Sequence, residues 1–211
     1  MKDTVYLSSA YLAPVQYYTK LHACHTAFVE QHDNYVKQTY RNRCRIATAD
    51  GVLTLSIPTE KPATLKCPMK DIRISDHGNW RHLHWNALCS AYRHSPFFEY
   101  YEDDFRPFYE QKYTFLADFN EALCDLVCRL IDLQPCLKRT EEYKTEFAPG
   151  ETDARELISP KRPWTDDPDF RPQPYYQVFG EKHGFLPNLS IVDLLFNMGP
   201  EGLLVLRQST S

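Results

Sequence analysis

Hydrophobic and polar positions change their period several times along the chain, and each change marks an element. Thr4–Ser8 (TVYLS) is dense in β-forming residues and predicts a first strand. Pro14 then stands where a helix's first turn tolerates it, and Val15, Tyr18 and Leu21 recur at helical spacing. Thr26–Glu30 (TAFVE) returns to strand character. Strand, short helix, strand is the βαβ pattern, which sets two parallel strands side by side. Arg45–Thr48 and Val52–Ile57 flank Ala49-Asp50-Gly51, and the Asp-Gly pair predicts a hairpin turn. Thr59–Cys67 reads as a Pro- and Lys-bearing connection, and Ile72 and Ile74 in DIRIS alternate like another strand.

The second half is helical. Asn79 stands as an N-cap before Trp80, Leu83, Ala87, Leu88 and Ala91. Ser95-Pro96 predicts a second helix start, with that helix broken or kinked at Pro107. Thr114–Leu133 carries a core stripe of Phe115, Phe119, Leu123, Leu126, Leu130 and Leu133, stopped by Pro135. Lys138–Pro174 is polar and Pro-rich and reads as a long loop or lid. Ser190 then caps a helix with Asp193 completing a Ser-x-x-Asp box, Gly199 ends it, and Pro200 starts a final short one. The expected fold class is α/β: a small mixed sheet with a βαβ start and a hairpin, flanked by several helices, in a single domain over residues 1–211.

Composition narrows the function classes. The formal net charge is -4, which argues against general nucleic-acid binding. No run of about 18 apolar residues exists, so no membrane span is expected, and the N-terminus lacks a basic head with an apolar core behind it. The seven cysteines include no CxxC pair, which fits reduced thiols and a cytoplasmic setting better than a disulfide framework. An oligomer is compatible with all of this.

Against that acidic background, Lys37, Arg41, Arg43 and Arg45 crowd into one short stretch with Tyr35, Tyr40 and Asn42. Arginine offers a planar fork to two oxygens and lysine a point charge, so the stretch can bind phosphate or carboxylate. In a βαβ unit ligands gather beyond the carboxyl ends of the strands, which is where Ser8–Pro14 and Gln31–Arg45 leave. A solvated loop or edge strand explains the same charges without a ligand. His84 falls on the core-facing turn of its helix, where it can serve as a general base or as a satisfied core histidine. The other histidines lack zinc-site spacing, so no metal is expected and no cofactor is indicated. GxGxxG, GxxxxGK[ST] and GxSxG are all absent.

Four segments together resemble the WbqC-like family of bacterial and archaeal proteins: YLAPVQYYTKL (Tyr11–Leu21), YVKQTYRNRCRI (Tyr35–Ile46), Trp80 to AYRHSPFF, and GFLPNLSIVDLLFNMGPE (Gly184–Glu201). Two departures stand out: Ser8-Ser9 replace a Gln-Pro pair, and Lys138–Pro174 is shorter than its counterpart. The family's name, from an O-antigen gene cluster, implies surface-polysaccharide or nucleotide-sugar chemistry by association. The expected function is a transferase acting on a phosphate-bearing activated small molecule, a nucleotide-sugar or acyl donor. His84 and Asn42 are its expected catalytic residues, and Tyr11, Lys37, Tyr40, Arg41, Arg43, Arg45 and Trp80 its expected substrate contacts. The alternative is a non-catalytic binding or assembly protein that uses the aromatic run Phe97–Tyr113.

Overall fold

The computed structural model describes residues 2–62, 64 and 66–210. Its α/β fold is built on a four-stranded, fully parallel sheet and a separate antiparallel hairpin. Strand β1 (Lys2–Ser8), helix α1 (Val15–Ala23) and strand β2 (Cys24–Glu30) form the βαβ unit, with Thr4 opposite Thr26 and Ser8 opposite Glu30. In β1, Val5, Tyr6 and Leu7 are all buried, as expected of a central parallel strand covered on both faces. The hairpin pairs β3 (Arg43–Thr48) with β4 (Gly51–Ser56), and Gly51 turns with φ of 109°.

Helices α2 (Trp80–Tyr92), α3 (Phe98–Glu110) and α4 (Leu116–Leu130) follow. Strands β5 (Leu137–Arg139) and β6 (Glu151–Asp153) then complete the sheet in the order β5-β2-β1-β6. Helices α5 (Gly180–His183), α6 (Ile191–Met198) and α7 (Gly202–Gln208) close the chain. In α6 every residue from Ile191 to Asn197 is buried, so this helix is apolar nearly all round and sits inside the helical layer.

The structure corrects several expectations. Lys138–Pro174 is not loop throughout: with Leu137 it supplies two strands of the central sheet, each only three residues long. Ile72 and Ile74 are buried but form no strand, only isolated bridges from Arg73 to Phe115 and from Ile74 to Thr59. Within the Thr59–Cys67 connection, Ala63 and Leu65 lie outside the described residues. Asn79 sits left-handed at φ 46° and its side chain caps nothing, since an N-cap needs extended backbone. Ser95 donates to the Tyr92 carbonyl at 2.6 Å, so it finishes α2 and does not open α3.

Helix α3 runs on through Pro107, because burial of Phe105 and Tyr109 outweighs one lost backbone bond. With Phe98 also buried, the aromatic run Phe97–Tyr113 contributes three rings to the core, while Tyr100 stays exposed. Ser190 does accept from the Val192 amide at 3.4 Å, but Asp193 closes no capping box. Its carboxylate is buried and accepts from the Tyr92 and Tyr175 hydroxyls at 2.9 and 2.7 Å.

One buried ion pair fastens the later chain onto the first helix. Lys20 on α1 reaches both oxygens of Asp167, at 2.7 and 2.6 Å, and Gln16 donates to the same carboxylate at 2.8 Å. Breaking one side of such a pair leaves an uncompensated buried charge. Asp167→Ala is therefore expected to cost roughly 3–5 kcal/mol, whereas Lys20→Met with Asp167→Leu stays much closer to the parent. Urea unfolding of the three proteins measures this, and equal losses in the single and double variants would contradict it.

Candidate functional site

The carboxyl edge of the parallel sheet holds a dense ionic network. Glu30, at the end of β2, has no solvent exposure. One of its oxygens takes hydrogen bonds from the Gln31 and His32 amides at 3.1 and 2.9 Å and from the Thr140 hydroxyl at 2.9 Å. The other takes Arg155 Nη1 at 2.7 Å. Arg155, two residues beyond β6, also forks onto Asp153, with Nε and Nη2 each at 2.8 Å from an oxygen.

Arg41 descends onto the same edge. It pairs with Asp33, donates to Ser8 Oγ at 3.0 Å, and has Glu156 at 3.5 Å. Burial pushes the Asp33 carboxyl above its ordinary range against the pull of Arg41. Asn120 on α4 fixes the backbone here, donating to the Arg41 carbonyl at 2.8 Å and to Ser9 Oγ at 3.0 Å. Ser8, Ser9, Arg41, Arg155 and Glu156 line a slit at this edge that is too narrow for more than a water or so.

Beside the slit, and sharing Tyr40 as a wall, lies an open groove of about 350 Å³. That is within the range of small-molecule sites, about 300–1,000 Å³. Arg45, Lys161 and Arg162 bring positive charge to it, and Tyr40, Trp164 and Asn188 are among its other walls. All three cations are exposed, and none of them makes an ion pair among the described residues. Arg45 gets there because β3 alternates: Cys44 and Ile46 face the core, which leaves Arg43 and Arg45 on the outer side. The Arg45 guanidinium lies beside the Tyr40 hydroxyl, whose pKa is raised by burial despite that cation.

Lys161 and Arg162 come from the segment between β6 and Asp167, pinned at one end by Arg155 and at the other by the Lys20–Asp167 pair. They were missed because that stretch read as a lid. Their signal was PKRPW, a basic pair set between prolines and followed by Trp; like Lys37–Arg45 it joins cations to an aromatic ring.

The expected site residues therefore divide. Tyr40 and Arg45 line the groove, and Arg41 lies in the adjoining slit, already paired. Lys37 is exposed on its loop, outside both linings. Arg43 is half-buried on the outer side of β3, near Tyr35 and away from the groove. Asn42 is buried and donates to the Ile57 carbonyl at 2.9 Å, closing the base of the hairpin.

His84, Tyr11 and Trp80 are core. His84 Nδ1 is 3.0 Å from the Tyr11 hydroxyl, which is in turn 2.9 Å from that of Tyr109, and Trp80 packs edge-on against His84 with centroids 5.1 Å apart. Tyr11 and Trp80 thus have no free ring face for a ligand to stack on. Among the described residues no group of three or more His, Cys, Asp or Glu side chains could hold a metal ion. No helix among them is long and apolar enough to cross a membrane.

Burial lowers the His84 pKa to about 4. The unfolded chain takes up a proton near pH 6.5 that the folded chain refuses until pH 4. Stability tied to neutral His84 is thus complete above pH 6.5 and lost as the pH falls towards 4. Comparing urea unfolding at pH 7.5 and 4.5, the parent should lose about 2–3 kcal/mol more than His84→Gln. Equal losses would show that burial does not hold the imidazole neutral and that the folded and unfolded chains take up its proton alike.

A protein-family model described as "WbqC-like protein family" matches residues 9–157, which takes in Tyr40 and Arg45 but not Lys161 and Arg162. The uncharacterized protein Rv1507c of Mycobacterium tuberculosis is 28% identical over 228 residues, covering 95% of this chain and 96% of its own length. No solved structure gives a significant match.

Proposed function

Because the chain belongs to the WbqC-like protein family, we propose a transferase-like enzyme of surface-polysaccharide biosynthesis that holds a phosphate-bearing activated small molecule in the Tyr40–Trp164 groove. One observation carries this reading. In a protein with a formal net charge of -4, three cations share one groove and have no carboxylate partners among the described residues. The arginines of the neighbouring sheet edge are already neutralised by Asp33, Glu30 and Asp153. Unpaired Arg45, Lys161 and Arg162 therefore keep their full attraction for an anion. Two are planar forks suited to phosphate oxygens and the third is a mobile point charge. Acyl or phosphoryl transfer depends on positioning and charge stabilisation more than on a protein nucleophile.

A second reading rests on the chemistry of the walls. No His, Asp, Glu or Cys stands among the residues lining the groove, which leaves Tyr40 and Lys161 as its only titratable groups besides arginine. That favours a binding or assembly protein that carries a phosphorylated compound without transforming it.

Calorimetric titration with nucleotide-sugars, sugar phosphates and acyl-coenzyme A thioesters tests the proposal. At least one class should bind, and Arg45→Ala with Lys161→Ala should weaken it roughly tenfold or more. No binding by any class to the folded parent would end the phosphate reading. Binding without turnover, with every plausible acceptor supplied, would select the carrier.

A further inference from the structure

We infer that the groove reads a nucleoside diphosphate, with the base stacked on Trp164 and the two phosphates held by Arg45, Lys161 and Arg162. This rests on the phosphate reading above and narrows it to one ligand class and one orientation.

The cationic side chains are only part of the lining. Val52, Pro160, Pro163, Trp164, Leu186, Pro187 and Leu189 make the remainder largely apolar. A bare phosphate has nothing to offer such surfaces. A ligand with a flat apolar ring joined to charged oxygens matches both kinds of wall at once. The shape of the walls also favours a ring over a flexible chain. The indole is flat and the proline rings are rigid, and ring-on-ring stacking needs no rotamer ordering in the ligand.

Trp164 is held ready for this. It opens a short 3-10 turn, Trp164–Asp166, directly behind Pro163. Its ring packs edge-on against buried Phe170, with centroids 6.0 Å apart and planes at 90°. Between them Asp167 is fixed to Lys20 and Gln16 on α1. The indole is only partly buried, so part of it remains at the groove. Asn188, also in the lining, is held by Gln16, whose backbone amide donates to Asn188 Oδ1 at 3.0 Å. Trp164 and Asn188 are thus both tied to α1, and a ligand meets a preformed slot.

Two phosphates suit the charge better than one. Three unpaired cations exceed what a single monoester neutralises, and a diphosphate spans separate side chains where an isolated phosphate meets one or two.

The test compares inorganic pyrophosphate with nucleoside diphosphates by calorimetry on the parent, Trp164→Leu and Trp164→Phe, each checked for an unchanged melting transition. In the parent, nucleoside diphosphates should bind about tenfold tighter than pyrophosphate. Trp164→Leu should remove that advantage while leaving pyrophosphate binding unchanged, and Trp164→Phe should keep most of it. Equal binding of the two ligands by the parent would overturn the inference and leave the phosphate reading standing. So would a Trp164→Leu variant that weakens both alike. Failure of both ligands to bind the parent, together with nucleotide-sugars, sugar phosphates and acyl-coenzyme A thioesters, would remove the phosphate reading and this inference with it.

Discussion

A carboxylate without solvent exposure has to be paired, and Glu30 is placed where that requirement organises the molecule. It ends β2 at the carboxyl edge of the sheet and draws in Arg155 from the far side of β6, together with two backbone amides and a threonine hydroxyl. Taking an unpaired charge out of water costs several kcal/mol, so the chain beyond β6 is not free to wander. The Lys20–Asp167 pair repeats the device further along. Between these two anchors the segment that carries Lys161, Arg162 and Trp164 is bent across the mouth of the fold.

This arrangement sorts the positive charges by role. Arg41 and Arg155 are neutralised inside the sheet-edge network and act as fasteners. Arg45, Lys161 and Arg162 stand outside it and keep their charge for solvent or ligand. Proximity to the carboxyl edge of a parallel sheet is therefore not enough to identify a ligand contact. What separates the two groups is whether a carboxylate has already claimed the guanidinium.

Much of the fold was legible from local pattern. Val15, Tyr18 and Leu21 marked α1, Asp50-Gly51 marked the hairpin turn, and the stripe from Phe119 to Leu130 marked α4. These signals depend on neighbours in sequence, so they survive without tertiary knowledge. The strands β5 and β6 were illegible for the opposite reason. Three residues such as Leu137-Lys138-Arg139 hold no periodicity, and only the ready edges of β2 and β1 turn them into strands. Pro107 and Ser190-Asp193 misled in a related way, because burial outweighed the local rule in α3 and buried tyrosines engaged the carboxylate in α6.

The sequence by itself determined the α/β class, the βαβ start, the hairpin and the crowding of cations near Tyr40, since each follows from periodicity, turn chemistry or charge within a few residues. Tertiary structure decided which of those cations are free. It moved His84, Tyr11 and Trp80 into the core, paired Arg41 with Asp33, and brought Lys161, Arg162 and Trp164 across more than a hundred residues to face Arg45. Pairing and desolvation act over distances of a few ångströms in space, and sequence separation carries no information about them.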